Sequence, residues 1–303
     1  MAINLENPEN RKKLAAQIKQ EINEYCADKY NTGHREHLGA SVMGEKCSRK
    51  LWYIFRWVKE EKFDGRIQRL FQVGHNAEPR FVEYLEAIGF KVKRFDEKNE
   101  NPLDIEAGFV EPTQWRISAC NGHYGGSLDG MCQAPLKYGI TENLVWLNEF
   151  KTNKTGTDFY DIEWKGVIKC KPKHYAQMCQ YGLHYQLKYG IYLVENKNDS
   201  DITIEIVPLD WNLGKELEKK AQDIISSQIP PPRIAENPSF FECKYCNFSD
   251  ICHNNEPVEI NCRSCRNAQP NLNAEWYCKL HEAIIPKDFI AKGCPQHISI
   301  NGQ

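Results

Sequence analysis

The chain has 303 residues, a length that corresponds to about two domains. Hydrophobic residues make up 41% and charged residues 26%, which excludes a collagen-like or disordered chain. The formal net charge of -2 excludes binding of nucleic acid through overall positive charge, so any nucleic-acid site has to be a local basic groove.

Two amphipathic helices are predicted near the start of the chain. The first covers residues 8–26, after an Asn7-Pro8 cap, and we expect its apolar face to pack. This face carries Leu14, Ile18, Ile22 and Tyr25. The second covers residues 67–88. The polar start and the lack of an apolar run of ~20 residues predict a cytoplasmic protein without a membrane span.

Strands and helices alternate after residue 89. Turn residues and hydrophobic patterns predict strands at 90–95, 114–119, 125–131, 145–151, 191–195 and 202–207. Helices are predicted at 172–188 and 212–227. The three prolines at 230–232 predict a stiff connector. This order predicts an α/β fold with a mixed sheet.

Two acidic residues and a lysine form the strongest catalytic pattern. Asp129 closes the segment Gly-Gly-Ser-Leu-Asp, and Glu149 and Lys151 flank Phe150. Side chains alternate along a strand, so Glu149 and Lys151 share one face while Phe150 points into the core, and Asp129 on a neighbouring strand can meet them. Paired carboxylates favour Mg²⁺ or Mn²⁺, which would activate water while the lysine offsets charge on a phosphate. By itself the pattern also fits a solvated strand face.

Further residues extend this pattern along the chain. His75 lies upstream on a predicted helix, and Gln177 and Tyr181 lie downstream, four residues apart on one helix face. In this order the motifs resemble the PD-(D/E)XK nuclease superfamily, specifically its RecB-like branch. The resemblance implies a restriction-endonuclease-like core, in which a mixed sheet lies between helices.

The resemblance also implies a role for each matching residue. The metal would be held by His75, Asp129, Glu149 and the backbone carbonyl of Phe150. Lys151 would be the catalytic lysine. Gln177 and Tyr181 would position that lysine or the DNA strand.

A basic loop is predicted at residues 164–174, between the acidic motif and the Gln177 helix. It contains four lysines and no acid, namely Lys165, Lys169, Lys171 and Lys173. Phosphate contacts supply most sequence-independent affinity for DNA, so this loop is a candidate DNA-binding segment. The alternative is a solvated surface loop.

Thirteen cysteines in a chain expected to be cytosolic point to metal, because disulfides are rare there. Cys243, Cys246 and Cys252 are closely spaced, and Cys47 can supply a fourth thiolate. One distant N-terminal cysteine before a C-x2-C-x5-C group resembles the iron-sulfur RecB-like exonucleases, including the CRISPR-adaptation nuclease and the AddB nuclease domain. The resemblance implies a 4Fe-4S cluster that ties the chain ends together. Zinc is the competing occupant, since four thiolates suit both.

The last segment contains a second group of candidate ligands. They are Cys262, Cys265, Cys278, His281, Cys294 and His297. A four-coordinate Zn²⁺ needs only four of them. The Cys262/Cys265 pair is the firm half, Cys278 and Cys294 rank first for the other half, and His281 competes closely. We expect a small zinc module that docks DNA or a partner; unliganded thiols in a disordered tail are the alternative.

These motifs predict four segments. They are an N-terminal helical region at 1–60, a nuclease core at 61–229, an iron-sulfur segment at 230–257 and a zinc module at 258–303. The predicted activity is that of an Mg²⁺- or Mn²⁺-dependent DNA exonuclease, acting on single-stranded or duplex ends in recombination, repair or end processing.

The biological setting is predicted from size and domain content. A small chain without a helicase but with an added cysteine module indicates a phage or mobile-element protein, with a recombination or replication protein as partner. One alternative is a DNA-binding or assembly module with a degenerate nuclease core. A structure-specific endonuclease is a further alternative. A site-specific endonuclease ranks lower, because no base-reading element is evident.

Overall fold

A computed structural model describes residues 4–96, 113–140, 143–154 and 156–301. Within these ranges the α-helices are α1 (Pro8–Lys29), α2 (Ser48–Phe55), α3 (Gly65–Ala87), α4 (Thr157–Lys165), α5 (Val167–Cys170), α6 (Pro172–Tyr185), α7 (Trp211–Ser226), α8 (Phe241–Lys244), α9 (Ser249–His253) and α10 (Lys287–Ile290). The strands are β1 (Leu38–Gly39), β2 (Lys91–Lys93), β3 (Arg116–Ala119), β4 (Tyr124–Ser127), β5 (Met131–Gln133), β6 (Val145–Asn153), β7 (Tyr189–Asn196), β8 (Ile202–Pro208), β9 (Ala268–Pro270), β10 (Trp276–Cys278) and β11 (Ala283–Ile285).

The chain forms two compact units. The first consists of Met1–His34 with Glu60–Ala77, and the second of Arg35–Lys59 with Glu78–Gln303. Helix α3 begins in the first unit and ends in the second. No described helix is both long enough and apolar enough to cross a lipid bilayer.

Helix α1 begins where the Asn7-Pro8 pair predicts. The Asn7 side chain accepts a hydrogen bond from the Glu9 amide at 2.9 Å, and Pro8 needs no partner at the first position. The predicted packing of its apolar face is wrong, because Ile18, Ile22 and Tyr25 are exposed. The spacing of the apolar residues predicts the helix correctly. It does not show whether another element packs against the apolar face.

The central sheet of the second unit is mixed, as predicted. Its strand order is β2-β5-β6-β7-β8, with β6 and β7 parallel and the other neighbours antiparallel. Parallel neighbours need a long crossover connection, and helices α4, α5 and α6 supply it. The chain between the acidic motif and Tyr181 therefore returns along one face of the sheet.

The strand predicted at 125–131 is two strands in two sheets. Strand β4 pairs with β1 and β3, whereas β5 joins the central sheet. Asp129 lies in the connection between them, so its predicted place on a strand is wrong. The chain turns at Gly130, whose φ of +135° is strained for any residue with a side chain, and where a Cβ would lie 2.9 Å from the Lys93 carbonyl oxygen.

Helices α2, α6 and α7 pack together beside the sheets and enclose the core. Trp52, Phe55 and Met178 are fully buried there. Trp276 and Ile290 from the C-terminal segment belong to the same hydrophobic cluster. The segment beyond residue 258 therefore shares its core with the rest of the second unit.

Candidate functional site

The acidic residues and the lysine meet at one point, as the sequence predicts. The Lys151 ammonium lies 2.6 Å from Glu149 Oε1 and 3.8 Å from Asp129 Oδ2. It also donates a hydrogen bond to the Phe150 carbonyl oxygen at 2.9 Å. The Phe150 amide donates to Asp129 Oδ2 at 2.7 Å, which ties the turn carrying Asp129 to strand β6.

Burial dominates the electrostatics of this acidic centre, defined as Asp129, Glu149, Lys151 and the Phe150 carbonyl. Burial raises the pKa of Glu149 to about 7; Lys151 opposes that shift and Asp129 adds to it. Burial also raises the pKa of Asp129, against the opposing effect of Lys151. Burial favours a neutral Lys151, but the two carboxylates outweigh it and hold the lysine pKa above its usual value. The two carboxylates therefore favour the ammonium form of Lys151.

The oxygen atoms of this centre suit a hard divalent cation. Both carboxylate oxygens of Glu149 are buried, and Oε1 forms an ion pair with Lys151. Oε2 accepts no hydrogen bond from any residue in the described ranges. A buried polar oxygen without a donor is costly unless a cation satisfies it. The Lys151 ammonium contacts three oxygen atoms, one each from Asp129, Glu149 and the Phe150 carbonyl. Because oxygen atoms are the ligands that hard divalent cations prefer, these residues fit Mg²⁺ or Mn²⁺.

Gln177 and Tyr181 lie beside the acidic centre on helix α6. The Gln177 amide donates to the Tyr181 hydroxyl at 3.2 Å. Burial raises the pKa of Tyr181, and the nearby charge of Glu149 adds to the shift. A Cβ at Gly126 would approach the Tyr181 hydroxyl to 2.7 Å, so this glycine permits the tyrosine to reach the centre.

Two further residues near the centre were missed by sequence reasoning. His174 shares a 2.8 Å hydrogen bond with the Tyr192 hydroxyl, and burial, followed by the charge of Lys151, lowers its pKa to about 3. The charge of Glu78 raises the pKa of both Asp129 and Glu149. Glu78 also forms an ion pair with Arg94 at 3.0 Å. Glu78 follows His75 by three residues on one helix, a spacing that was available in the sequence.

His75 is exposed on α3, in the part of that helix that belongs to the first unit. Asp129, Glu149 and Phe150 belong to the second unit. The role of His75 as a metal ligand stays a prediction.

The prediction of a basic loop at residues 164–174 is wrong, because most of these residues are helical. These residues form the end of α4, the short helix α5 and the start of α6, with Gly166 at φ +78° making the turn between the first two helices. Lys165, Lys169 and Lys173 are exposed on this surface. Lys165 pairs with Asp161 at 2.8 Å, a surface contact weak enough to be exchanged for phosphate. Lys173 pairs with the half-buried Glu45 at 2.6 Å. Lys171 is half-buried.

The four predicted cluster cysteines line one cavity of about 230 Å³, here named the cluster cavity. Cys47 caps α2 and accepts the Lys50 amide at 3.4 Å, while Cys243 lies in α8 and Cys252 in α9. As they stand the thiols do not form a group that would hold a single metal ion, and no other three His, Cys, Asp or Glu side chains do so in the described part of the chain.

Four cationic side chains and two carboxylates, Glu45 and Glu242, line the cluster cavity, so its wall has a net positive charge. Arg49, Lys50 and Arg233 line it, and Arg49 donates to Cys252 Sγ at 3.8 Å. Arg233 also donates to the Cys252 carbonyl oxygen at 2.6 Å. Thiolate ligands give an iron-sulfur cluster net negative charge, which these cations would offset. The donor set and its surroundings therefore fit a cluster.

All six candidate ligands of the last segment line a second cavity of about 290 Å³, here named the tail cavity. Burial raises the pKa of Cys262 to about 11, and the neighbouring thiols of Cys294, Cys265 and Cys278 add to the shift. His297 instead has its Nε2 3.0 Å from the Ser264 hydroxyl oxygen. Cys278 and Cys294, which rank first from the sequence as partners of the Cys262/Cys265 pair, therefore lie near Cys262.

Comparisons with known proteins give partial structural similarity. No family model matches the chain. No curated relative matches it either. The alkaline exonuclease LHK-Exo from Laribacter hongkongensis is similar at a TM-score of 0.37 and 16% identity, over 67% of this chain and 89% of that one. Its complex with dAMP gives a TM-score of 0.38 at 17% identity, over 66% and 89%. The protein SSO0001 gives 0.39 at 14% identity, over 79% and 97%.

Proposed function

We propose that the chain is a metal-dependent deoxyribonuclease that degrades DNA from its ends. The observation that carries the proposal is the acidic centre, where the buried Glu149 carboxylate, the half-buried Asp129 carboxylate and a backbone carbonyl converge on a lysine ammonium. A buried carboxylate oxygen without a hydrogen-bond donor, such as Glu149 Oε2, is unfavourable in a purely structural role. Such an oxygen is what a site for a divalent cation requires.

Asp129, Glu149 and the Phe150 carbonyl would hold Mg²⁺ or Mn²⁺, which supplies an activated water and offsets charge on the scissile phosphate. Lys151, whose ammonium form the two carboxylates favour, would contribute a positive charge near the reacting phosphate. Gln177 and Tyr181 would position Lys151 or the DNA strand at the edge of the acidic centre. Neutral His174 fixes the Tyr192 hydroxyl close to Lys151 without adding charge.

The surface of α4, α5 and α6 is the proposed path for DNA. It presents Lys165, Lys169 and Lys173 on the crossover connection that leads to Gln177 and Tyr181. Trp164 is 82% exposed on the same surface, and a solvent-facing indole is a platform on which an unpaired base can stack. A basic surface with one exposed aromatic ring favours single-stranded DNA or frayed duplex ends as substrate.

The proposed 4Fe-4S cluster, held by Cys47, Cys243, Cys246 and Cys252, has a structural role. It would join the start of α2 to α8 and α9, which are too short to be stable alone. Glu45 lies between the cavity and helix α6, because it pairs with Lys50 at 3.0 Å and with Lys173 at 2.6 Å. Loss of the cluster should therefore disturb the helix that carries Gln177 and Tyr181.

The test is cleavage of end-labelled linear DNA and of matched circular DNA by the purified full chain. Mg²⁺ or Mn²⁺ should support degradation of linear DNA only, and EDTA should stop it. Cleavage of circular DNA would favour the alternative of a structure-specific endonuclease. Binding of DNA without any cleavage would favour a DNA-binding or assembly module and overturn the proposal.

An activity of this kind serves DNA recombination, repair or end processing, with a recombination or replication protein as partner. A phage or mobile element is the proposed source. These proposals depend on the nuclease activity, and they fail with it.

A further inference from the structure

The tail cavity gathers four thiols that the proposed nuclease does not use. Cys262, Cys265, Cys278 and Cys294 line it, and most of its remaining wall is apolar, including Ile284 and Phe289. All four cysteines are free thiols. Four thiols around one cavity are typical of a tetrahedral metal site.

Local backbone structure holds each thiol in place. Cys262 and Cys265 form a tight turn in which the Cys265 amide donates to the Cys262 carbonyl oxygen at 3.1 Å. Cys278 lies at the end of β10, between β9 and β11. Gly293 at φ +64° precedes Cys294 and packs against Ile260, where a side chain would crowd the turn. The Ile298 amide points at Cys265 Sγ from 3.5 Å, a contact that stabilises a thiolate.

The two histidines are poorer candidates on geometry. His297 Nε2 shares a hydrogen bond with the Ser264 hydroxyl, which itself donates to the Glu259 carbonyl oxygen at 2.5 Å. His281 is exposed, whereas each of the four thiols is at least half-buried. A four-coordinate ion is complete with the thiols alone.

The cysteine turn of the tail is fastened to helix α2 by two buried arginines. Arg263, which is 1% exposed, stacks its guanidinium 4.6 Å from the Phe55 ring centroid, 4.4 Å from that of Trp57 and 4.5 Å from that of Trp276. Arg56 donates to the Cys265 carbonyl oxygen at 2.7 Å and to the Ala268 carbonyl oxygen at 3.0 Å.

Backbone contacts continue this attachment. The Glu259 amide donates to the Val58 carbonyl oxygen at 2.8 Å, and the Asn261 side chain donates to the Trp57 carbonyl oxygen at 2.8 Å. The tail thus contacts the C-terminal end of α2, whose N-terminal end is capped by Cys47. A segment this small cannot hold these contacts by its own core.

We infer that Cys262, Cys265, Cys278 and Cys294 bind one Zn²⁺ ion, and that this ion locks the turn carrying Arg263 and Cys265 onto the C-terminal end of α2. The thiols rotate inward on coordination, since they do not yet form a single-ion group. The tail is therefore a brace for the helix that Cys47 caps. Its zinc is distinct from the cluster and from the catalytic metal.

The test measures zinc and iron in the purified full chain by mass spectrometry after expression with both metals supplied. Cys278→Ser and Cys294→Ser should each lower zinc by about one ion per chain, as one structural site requires, while iron stays unchanged. His281→Ala, His297→Ala and the control Cys170→Ser should keep the zinc. Loss of zinc in His281→Ala with retention in Cys294→Ser would overturn the ligand set, and a native chain without zinc would overturn the site.

Hydrogen exchange tests the brace. In Cys278→Ser the amides of 48–58 should exchange about tenfold faster than in the native chain, because local opening becomes easier. Cys170→Ser should leave them unchanged. Unchanged exchange in a Cys278→Ser protein that has lost zinc would contradict the brace. Both readouts are independent of nuclease activity, so failure of the proposed function leaves them interpretable.

Discussion

The acidic centre and the two cysteine cavities differ in what holds their residues in place. Glu149 and Lys151 lie on β6, a nine-residue strand paired on both sides, and Asp129 is bonded to the same strand. The cluster cavity depends on α8 and α9, helices of four and five residues, and the tail cavity on turns and three-residue strands. Such short elements are marginal without further bonds.

This difference separates two uses of metal in one chain. The pairing of β6 on both sides positions the acidic centre, so the proposed divalent cation there would be exchangeable and used for chemistry. The proposed ions of the cysteine segments would hold these short elements in place, so metal there would contribute to folding. Substitutions in the acidic centre should remove activity and spare stability, whereas cysteine substitutions should lower stability first.

The largest effect is expected for Glu149→Gln. Loss of one buried carboxylate should lower the rate of DNA cleavage by about a thousandfold, because residues that act together in one step are not additive. The melting temperature should shift by less than about 5 °C, since the strand pairing is retained. Single-turnover cleavage and thermal unfolding measure the two effects. A Glu149→Gln protein that cleaves at the native rate would refute the role of this residue.

The next effect is expected for Cys47→Ser. The proposed cluster would link distant parts of the chain, and a cross-link of that length contributes roughly 4 kcal/mol. The variant should lose iron and labile sulfide and unfold at lower denaturant concentration. The matched control is Cys170→Ser, a half-buried thiol outside both cavities. A colourless native protein that contains only zinc after anaerobic, iron-replete expression would exclude iron at this site.

Lys151→Met tests whether the lysine ammonium and the metal ion use the same oxygen atoms of the acidic centre. The ammonium occupies the position among the three oxygens that a metal ion needs, so its removal should tighten Mn²⁺ binding about tenfold, or about 1.4 kcal/mol. Cleavage should nevertheless be lost. Lys219→Met, at an exposed lysine on α7, is the control. Weaker Mn²⁺ binding in Lys151→Met would show that the lysine and the metal do not share these oxygens.

A smaller effect is expected for Trp164→Ala. Loss of one stacking platform should raise the KM for single-stranded DNA about fivefold, since stacking contributes about 1 kcal/mol or more per base. The kcat should not change, because Trp164 is not part of the acidic centre. Tyr25→Ala removes another exposed aromatic ring and serves as the control. An unchanged KM would remove Trp164 from the DNA path.

Sequence patterns were most informative where a local rule sets the structure. Alternation along a strand was enough to place Glu149 and Lys151 together, and the cap at Asn7 marked the start of α1. The turn that takes Asp129 off the strand depends on Gly130 fitting against Lys93, a contact distant in sequence. His174 and Glu78 were missed because their roles depend on tertiary neighbours. The exposed face of α1 likewise had no local signal.

Metal binding at the acidic centre can be measured directly by titration with Mn²⁺, followed by electron paramagnetic resonance of the free ion. The native chain should show saturable binding that Glu149→Gln abolishes. Asp223→Asn, at an exposed carboxylate on α7, should bind as the native chain does. Native-like Mn²⁺ binding by Glu149→Gln would contradict the central claim that this buried carboxylate is a metal ligand.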